Sequence, residues 1–460
     1  MQLNFVSHIS ELSQHFKELL LRIKTKICWP DLVGVLSLLI YLFVCINAIL
    51  TVKTGITTYD STQMLGMARD EITMSTSANP FYILYLRVVM GLFGEAGIIY
   101  VHYLAGAITG LMLVWVFGRK NILSWSGFWV LSMPSYALFN LMVWKDVLFL
   151  YLVCISVALI IKSDRDTLKN KVSIRNLYVI ITFLLALVCL IRMNGNAVAL
   201  ILIVSFLINK KNIKNKLSSL VLALVLAAGV NSFIKNHYEV IETKGRTTKD
   251  LAVRMIGNDY LYYKFCLVNE DVAGLLDKRN KIYRGLPSYC ENSYTLDVAR
   301  SSLSKQEQKV IFNDGLELFL QKPYIWFKVK YEELYQYLSM MGAYVFPANV
   351  PKLSFKKYFW LLVVVTFSPA WIFILFLYVI GRTALIKYNV IVNDVEHRDI
   401  LIPVSIFSLL FCFSLTIPFM TNDSRYFLPA VFISLFVFII MLGKDLSLKL
   451  PVIKSAFKRI

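Results

Sequence analysis

The sequence has little charge for its length, since only 17% of its 460 residues are charged and 57% are hydrophobic. A soluble domain of this size cannot cover so much apolar surface. Long apolar runs recur between Leu32 and Leu442, and the short alternating segments of a membrane β-barrel do not dominate. The predicted fold class is therefore an all-α, polytopic membrane protein.

Three other patterns are missing. None of the seven cysteines belongs to a Cys-x-x-Cys pair of the kind that holds structural zinc, and no internal repeat is present. The N-terminal segment lacks the apolar core and the small-residue cleavage site of a signal peptide. We instead predict an amphipathic helix over residues 1–31 that lies on the cytoplasmic lipid headgroups. The sequence indicates no cofactor and no divalent metal, although it excludes neither.

Basic residues dominate the charge that is present, with 48 Lys and Arg against 29 Asp and Glu and a net charge of +19. They stand in short clusters between apolar spans, a pattern typical of orientation in a membrane and not of a nucleic-acid groove. The expected partners are anionic membrane lipids and not nucleic acid. The same clusters predict that both chain termini lie in the cytoplasm.

The apolar runs predict about ten transmembrane helices. Residues 81–94 are too short to cross comfortably, and if they crossed, the later basic clusters would face outward. We therefore predict that they form a juxtamembrane helix. The predicted spans are 32–52, 98–117, 122–142, 147–161, 177–191, 197–208, 217–234, 358–380, 401–419 and 427–442. They divide the chain into an N-terminal module 32–234 with a first outer loop 53–97, a large outer loop 235–357, C-terminal helices 358–443 and a basic cytoplasmic tail 444–460.

The large outer loop is long enough to form a small, mostly helical domain. Ser304 and Glu307 have the spacing of a capping box, and Pro323 predicts the start of a second helix. Cys266 and Cys290 are the two cysteines that the topology places outside, so we predict a disulfide between them. The alternative is a pair of free thiols.

Polar side chains gather at the predicted outer face. Lysine and arginine are expected mainly on the cytoplasmic side of a membrane protein, so cations at the outer face need another explanation. Binding of lipid phosphate is one such explanation. For each cation alone, a local ion pair or a side chain reaching to the headgroups is the competing explanation. The predicted phosphate ligands are Lys145, Arg192, Arg425 and Arg87, and the residues predicted to orient sugar or lipid are Asp146, Asn194 and Tyr426.

Asp60 stands in the first outer loop, directly after Tyr59 and before a short helical segment. A carboxylate at this boundary can take a proton from an acceptor hydroxyl as the hydroxyl attacks an activated sugar. The alternative is an exposed aspartate that caps the following helix. We expect Tyr59 to help fix the position of Asp60 in the catalytic case.

Short motifs at the ends of the predicted spans resemble those of a known superfamily. They are YDSTQMLGMARDE and NPFYILYLRVVMGLFGEAG in the first outer loop, the GRK that ends the next span, VWKDVLFLYLVCISVAL, CLIRMNGN and SRYFLPAVF. Together they resemble the GT-C glycosyltransferases, which include protein O-mannosyltransferases, the aminoarabinose transferase that acts on lipid A, and oligosaccharyltransferase. The resemblance covers most of the membrane part and implies a GT-C-like helical bundle.

The resemblance implies an inverting hexosyltransferase of the bacterial inner membrane with a periplasmic active site. Its donor would be a polyprenyl-phosphate-linked sugar, such as one on undecaprenyl phosphate, and its acceptor a lipid-linked glycan or polysaccharide of the O-antigen or lipopolysaccharide kind. Asp60 takes the role of general base, and Asp146 falls at the second acidic position. Ser61, not a glutamate, follows Asp60, and the chain has no Trp-Trp-Asp motif. These departures disfavour protein O-mannosylation and oligosaccharyl transfer.

Two other functions are weighed against this one. An O-antigen polymerase or ligase also uses outer arginines and a large outer loop, and this loop contains Arg246, Arg254, Arg279, Arg284 and Arg300. A flippase or transporter would need charged or broken helices at mid-membrane, and the predicted spans have almost no charge at their centres.

Overall fold

The computed structural model describes residues 29–51, 59–75, 79–165, 171–192, 194–241, 248–268, 303–339, 368, 370–388, 396–416 and 428–457. These ranges are almost entirely helical, which agrees with the predicted all-α class. Seven of their helices are long and apolar enough to cross a membrane. They contain the apolar segments Pro30–Leu50, Gly97–Phe117, Lys145–Arg165, Ile174–Ile191, Ile213–His237, Ala370–Lys387 and Leu428–Asp445.

The described residues of the first half contain ten α-helices. They are α1 (Trp29–Thr51), α2 (Tyr59–Ala68), α3 (Pro80–Phe93), α4 (Gly97–Phe117), α5 (Ser126–Ser132), α6 (Pro134–Asn140), α7 (Lys145–Arg165), α8 (Lys171–Ile191), α9 (Gly195–Leu207) and α10 (Ile213–His237). A short 3-10 helix, Ile122–Trp125, precedes α5. With 14 residues, α3 rises only about 21 Å, less than the roughly 30 Å of a hydrocarbon core. Its length suits the predicted juxtamembrane helix.

In the second half, the described residues contain a group of helices from the large loop and then three further apolar helices, of which the first and the third are long enough to cross a membrane. They are α11 (Thr248–Tyr262), α12 (Lys305–Gln321), α13 (Pro323–Ser339), α14 (Ala370–Lys387), α15 (Ile402–Thr416) and α16 (Leu428–Phe457), with π-helical turns at Tyr263–Leu267 and His397–Leu401. The predicted capping box at Ser304 and the helix start at Pro323 are both confirmed.

The predicted span over residues 122–142 differs from the structure. The segment is divided into the 3-10 helix, α5 and α6, because Pro134 interrupts it. Proline has no backbone N–H, and it pushes the preceding residue out of helical geometry. Met133 accordingly has an extended backbone, with φ −61° and ψ 143°.

The bundle is built around α7. This helix is the most deeply buried of the seven long ones, and it packs against α4 and α8. Further contacts join α8 to α9 and α10, α9 to α15, and α15 to α14 and α16. The apolar side chains of these helices form one continuous core.

The helices run in alternating directions, so the bundle has two distinct ends. At one end, Asp146 in the first turn of α7 contacts Arg192, which follows α8. At the other end, Asp164 near the end of α7 contacts Lys216 near the start of α10. We call these the Arg192 end and the Lys216 end.

Two short strands connect distant parts of the chain at the Arg192 end. β1 (Met74–Ser75) follows α2, and β2 (Val240–Ile241) follows α10. They pair in parallel, with Met74 opposite Val240 and Ser75 opposite Ile241. The pairing attaches the segment between α2 and α3 to the beginning of the large loop.

The described part of the large loop packs α11, α12 and α13 together. Asp259 of α11 is fully buried and accepts hydrogen bonds from Trp326 Nε1 at 2.9 Å and from Lys330 Nζ at 2.7 Å. Gly315 allows α12 to lie close to α11, since a Cβ there would come within 2.9 Å of the Tyr260 side chain. These contacts join the three helices, and the loop domain over residues 235–357 stays a prediction.

Candidate functional site

A buried ion pair forms the centre of the Arg192 end. The Arg192 guanidinium lies 3.1 Å from an Asp146 carboxylate oxygen, and the two side chains are only 7% and 5% exposed. The guanidinium also lies over the Phe149 ring, 5.2 Å from its centroid. A charge pair this buried is costly to desolvate, so its presence at a span end favours a functional role.

Gly195 sets the turn that carries Arg192. The Gly195 N–H donates to the Arg192 carbonyl at 2.9 Å. A Cβ at Gly195 would lie 2.0 Å from the Val188 carbonyl oxygen, so only glycine lets α9 begin this close to the last turn of α8. Asn194, a predicted substrate residue, precedes this glycine and is half-buried beside the pair.

Asn79 attaches the juxtamembrane helix α3 to the same turn. Its side-chain oxygen accepts from the Phe81 N–H at 3.2 Å and so caps α3, with Pro80 at the first helical position. Its side-chain nitrogen donates to the Leu190 carbonyl at 2.6 Å. One asparagine therefore starts α3 and fixes it beside Arg192.

Tyr82 and Tyr85 of α3 form an aromatic pair, and Tyr82 lies near Asp146. The Tyr82 and Tyr85 rings are stacked with centroids 5.5 Å apart. Both hydroxyls are buried and have no hydrogen-bond partner among the described residues. Burial first, and then the proximity of Tyr85 and Asp146, raises the pKa of the Tyr82 hydroxyl well above its usual range. Tyr82 therefore stays protonated and is a hydrogen-bond donor next to Asp146.

Arg87 is engaged by its own neighbours. Its guanidinium forms an ion pair with Asp70 and donates to the Met67 carbonyl at 3.3 Å. Arg69 likewise pairs with Glu95. These contacts hold the end of α2 against α3, so Arg87 acts here as a connector between the two helices and not as an open phosphate ligand.

Replacing Arg87 with glutamine is expected to lower the free energy of unfolding by less than about 1 kcal/mol, because its partner Asp70 is largely exposed. The sugar transfer expected from the sequence should fall by less than about fivefold. Unfolding curves and a membrane transfer assay check both values. A loss of transfer as large as that of an Arg192 variant would restore Arg87 to the phosphate-binding set.

The other predicted site residues are located less fully. Tyr59 and Asp60 open α2, and their side chains lie outside the described residues. The buried side of α2 packs on α3 through Met64, Leu65 and Met67, which brings the helix that Asp60 begins beside the Tyr82 helix. Lys145 is half-buried in the first turn of α7. Arg425 and Tyr426 lie outside the part of the chain that the structure describes.

Compared with known proteins, the chain matches no family model, no curated sequence and no solved structure. The described residues contain no group of three or more His, Cys, Asp or Glu side chains placed to hold a metal ion.

Sequence reasoning missed a second buried polar cluster, at the Lys216 end. Lys216 and Asp164 are both fully buried, with Nζ 2.8 Å from the carboxylate. Lys216 also donates to the Phe206 carbonyl at 2.8 Å, and Asn209 donates to Asp164 at 3.0 Å and to the Asp399 carbonyl at 3.2 Å. Each charge of the pair is thus supported by further hydrogen bonds.

Ion pairs continue from this cluster across the Lys216 end. Lys211 binds Asp399 at 2.6 Å, while Glu396 pairs with both Arg165 and Lys444. These contacts join α7, the turn between α9 and α10, the π-helical turn before α15, and α16. The sequence did contain a sign of this cluster, namely an acidic residue inside each basic segment, as in KSDR and EHRD. Orientation of the helices in a membrane requires only the cations of these segments.

The cysteines behave in two ways. Cys45, Cys154, Cys189 and Cys412 are buried free thiols, which agrees with their predicted place in apolar spans. Cys266 is disulfide-bonded. Cys290 lies outside the described residues, so its pairing with Cys266 stays a prediction.

Proposed function

We propose that this protein is an integral-membrane, inverting glycosyltransferase. It moves a hexose from an undecaprenyl-phosphate-linked donor to a lipid-linked or polysaccharide acceptor of the O-antigen or lipopolysaccharide kind. The observation that carries the proposal is the buried Asp146–Arg192 pair at 3.1 Å, beside the juxtamembrane helices α2 and α3.

Charge distribution supports a periplasmic site for this reaction. Lysines and arginines gather at the Lys216 end, among them Lys162, Arg165, Lys211 and Arg382. Because cations collect on the cytoplasmic side of inner-membrane proteins, we place the Lys216 end in the cytoplasm and the Arg192 end in the periplasm. A lipid-linked donor presents its phosphate at that boundary.

The proposed step is a single displacement. The acceptor hydroxyl oxygen attacks the anomeric carbon, and Asp60 takes the hydroxyl proton. The bond between the anomeric carbon and the phosphate oxygen breaks, and undecaprenyl phosphate leaves with the electron pair. Arg192, with Lys145 and Arg425, offsets the negative charge on the phosphate. Asp146 holds Arg192 until the donor arrives, while Asn194 and Tyr426 orient the substrate.

Glycan mass spectrometry tests the function directly. Inner membranes that contain or lack the protein are supplied with undecaprenyl-phosphate-linked hexoses, and the lipid-linked glycans are weighed. We expect a protein-dependent gain of one hexose and release of undecaprenyl phosphate. Identical glycan masses with intact donor would overturn the proposal.

Replacing Arg192 with glutamine is expected to lower transfer by about 10- to 100-fold, because one charge-assisted contact to the phosphate is lost. Arg192→Lys keeps the charge and should lose less. Initial rates at saturating and limiting donor separate donor binding from the chemical step. The binding role of Arg192 is refuted if the glutamine variant is correctly folded and keeps the wild-type rate.

Polymerase or ligase activity is the second candidate, because the β1–β2 pairing attaches the large loop to the first outer loop. That arrangement suits a site that handles a long lipid-linked glycan. The same mass measurement separates the two, because a polymerase or ligase adds whole glycan units and a hexosyltransferase adds a single sugar.

A further inference from the structure

A cavity opens at the Lys216 end, the opposite end of the bundle from the proposed active site. Its volume is about 430 Å³, and it lies between the start of α1, the end of α4 and the 3-10 helix. This volume is in the range of sites for small ligands. Its lining includes Asp31, Arg119, Trp115 and Trp125, with Val35 and Leu111 deeper along the helices.

The cavity has an apolar part and a charged part. Leu111 lies nearly two turns before the end of α4, whereas Arg119 follows that end and Asp31 stands in the first turn of α1. A ligand that fits would place a hydrocarbon chain along the helices and a polar group at their ends. Those are the parts of a membrane lipid, and paired tryptophans at this depth are typical of the headgroup boundary.

The two charges of the cavity have opposite sign. Within the described residues, neither Asp31 nor Arg119 forms an ion pair, although both line the same cavity. A ligand that satisfies both carries a negative and a positive group within one headgroup. Arginine is suited to phosphate, and a carboxylate to a primary ammonium group.

The tryptophans are held in place for such a headgroup. Trp125 Nε1 donates to the Arg119 carbonyl at 3.1 Å. Its ring lies so close to α1 that a Cβ at Gly34 would come within 2.5 Å of it. The Trp115 face already attracts the Lys162 ammonium, 4.9 Å from the ring centroid, so this surface is suited to cations.

We propose that this cavity binds a zwitterionic phospholipid with a primary amine, of the phosphatidylethanolamine class. Arg119 binds the lipid phosphate, Asp31 accepts hydrogen bonds from the ammonium group, and Trp115 and Trp125 flank the headgroup. The acyl chain follows Val35 and Leu111. The site is separate from the Arg192 end and does not depend on the proposed sugar transfer.

Native mass spectrometry of the full-length protein in detergent tests this site. The probes are dioleoyl phosphatidylethanolamine, phosphatidylcholine and phosphatidylglycerol, which differ only in the headgroup. We expect the ethanolamine lipid to be retained most, since the choline lipid has no N–H donor and the glycerol lipid has no cation for Asp31. Asp31→Asn should lower retention of the ethanolamine lipid about fivefold and remove its advantage over phosphatidylglycerol.

Arg119→Gln should lower retention of all three lipids, because the phosphate contact is common to them. Lys120→Gln is the matched control, since this exposed neighbour does not line the cavity, and it should keep wild-type retention. Thermal unfolding of each variant shows that the fold is intact. The proposal is overturned if phosphatidylglycerol binds the wild type as tightly as the ethanolamine lipid does. It is also overturned if the Asp31→Asn variant retains the ethanolamine lipid fully. Equal losses in the Lys120 and Arg119 variants, or retention of none of the three lipids by the wild type, would overturn it as well.

Discussion

Replacing Asp60 with asparagine should lower the rate of sugar transfer by about 10²- to 10⁴-fold, the contribution typical of a general base. Asparagine keeps the size and a hydrogen-bonding oxygen but cannot take the proton of the acceptor hydroxyl. Donor binding should change little, because the proposed phosphate ligands are Arg192, Lys145 and Arg425 and not Asp60. The loss is therefore expected in kcat, measured with saturating donor in inner membranes.

Asp70 provides the control within the same short segment. It is an exposed carboxylate just beyond the end of α2 and pairs with Arg87, so Asp70→Asn changes charge by the same amount at the other end of the helix. We expect it to keep transfer within about threefold of wild type. If both asparagine variants keep their activity, Asp60 is a helix cap and another group removes the proton.

Replacing Lys216 with alanine is expected to lower the free energy of unfolding by about 3–5 kcal/mol, because Asp164 would remain buried without its charge partner. Both side chains are fully buried in the wild type. Lys214→Ala is the matched control, since Lys214 is exposed two residues earlier on the same helix, and it should change stability by less than about 0.5 kcal/mol. Denaturant unfolding in detergent measures both.

A paired replacement distinguishes the charge from the packing. Lys216→Met combined with Asp164→Leu removes both charges and keeps similar volume, so it should recover most of the stability that Lys216→Ala loses. Equal stability of Lys214→Ala and Lys216→Ala would mean that the buried pair does not support the bundle. Failure of the paired replacement to recover would instead assign the loss to the Phe206 and Asn209 hydrogen bonds.

Three features could be predicted from the sequence, because each depends on neighbouring residues or on apolar length. They are the helical class, the helix starts at Ser304 and Pro323, and the free thiols in the apolar spans. The break at Pro134 was not predicted, because the span 122–142 was assigned from its apolar length alone. A run of hydrophobic residues indicates where a chain is buried, whereas a proline decides whether the helix continues.

The partners of charged side chains could not be predicted. Asp146 stands next to Lys145 in the sequence, but its ion pair is with Arg192 on the following helix. Arg87 was expected to meet phosphate and instead pairs with Asp70. The buried positions of Tyr82 and Tyr85 could not be predicted either, since two tyrosines in an apolar segment are common. Such pairings depend on how helices pack, which the sequence of one helix does not contain.

The parallel pairing of Met74–Ser75 with Val240–Ile241 also has a consequence for biosynthesis. The first of these strands is made early, and five of the long membrane helices identified in the structure precede the second along the chain. The helix α2, which Asp60 begins, is therefore synthesised well before β2, the strand that pairs with β1 after α2. This end of the protein is completed only after α10 has been made, so a chain that stops short of Val240 carries Asp60 without the β1–β2 pairing.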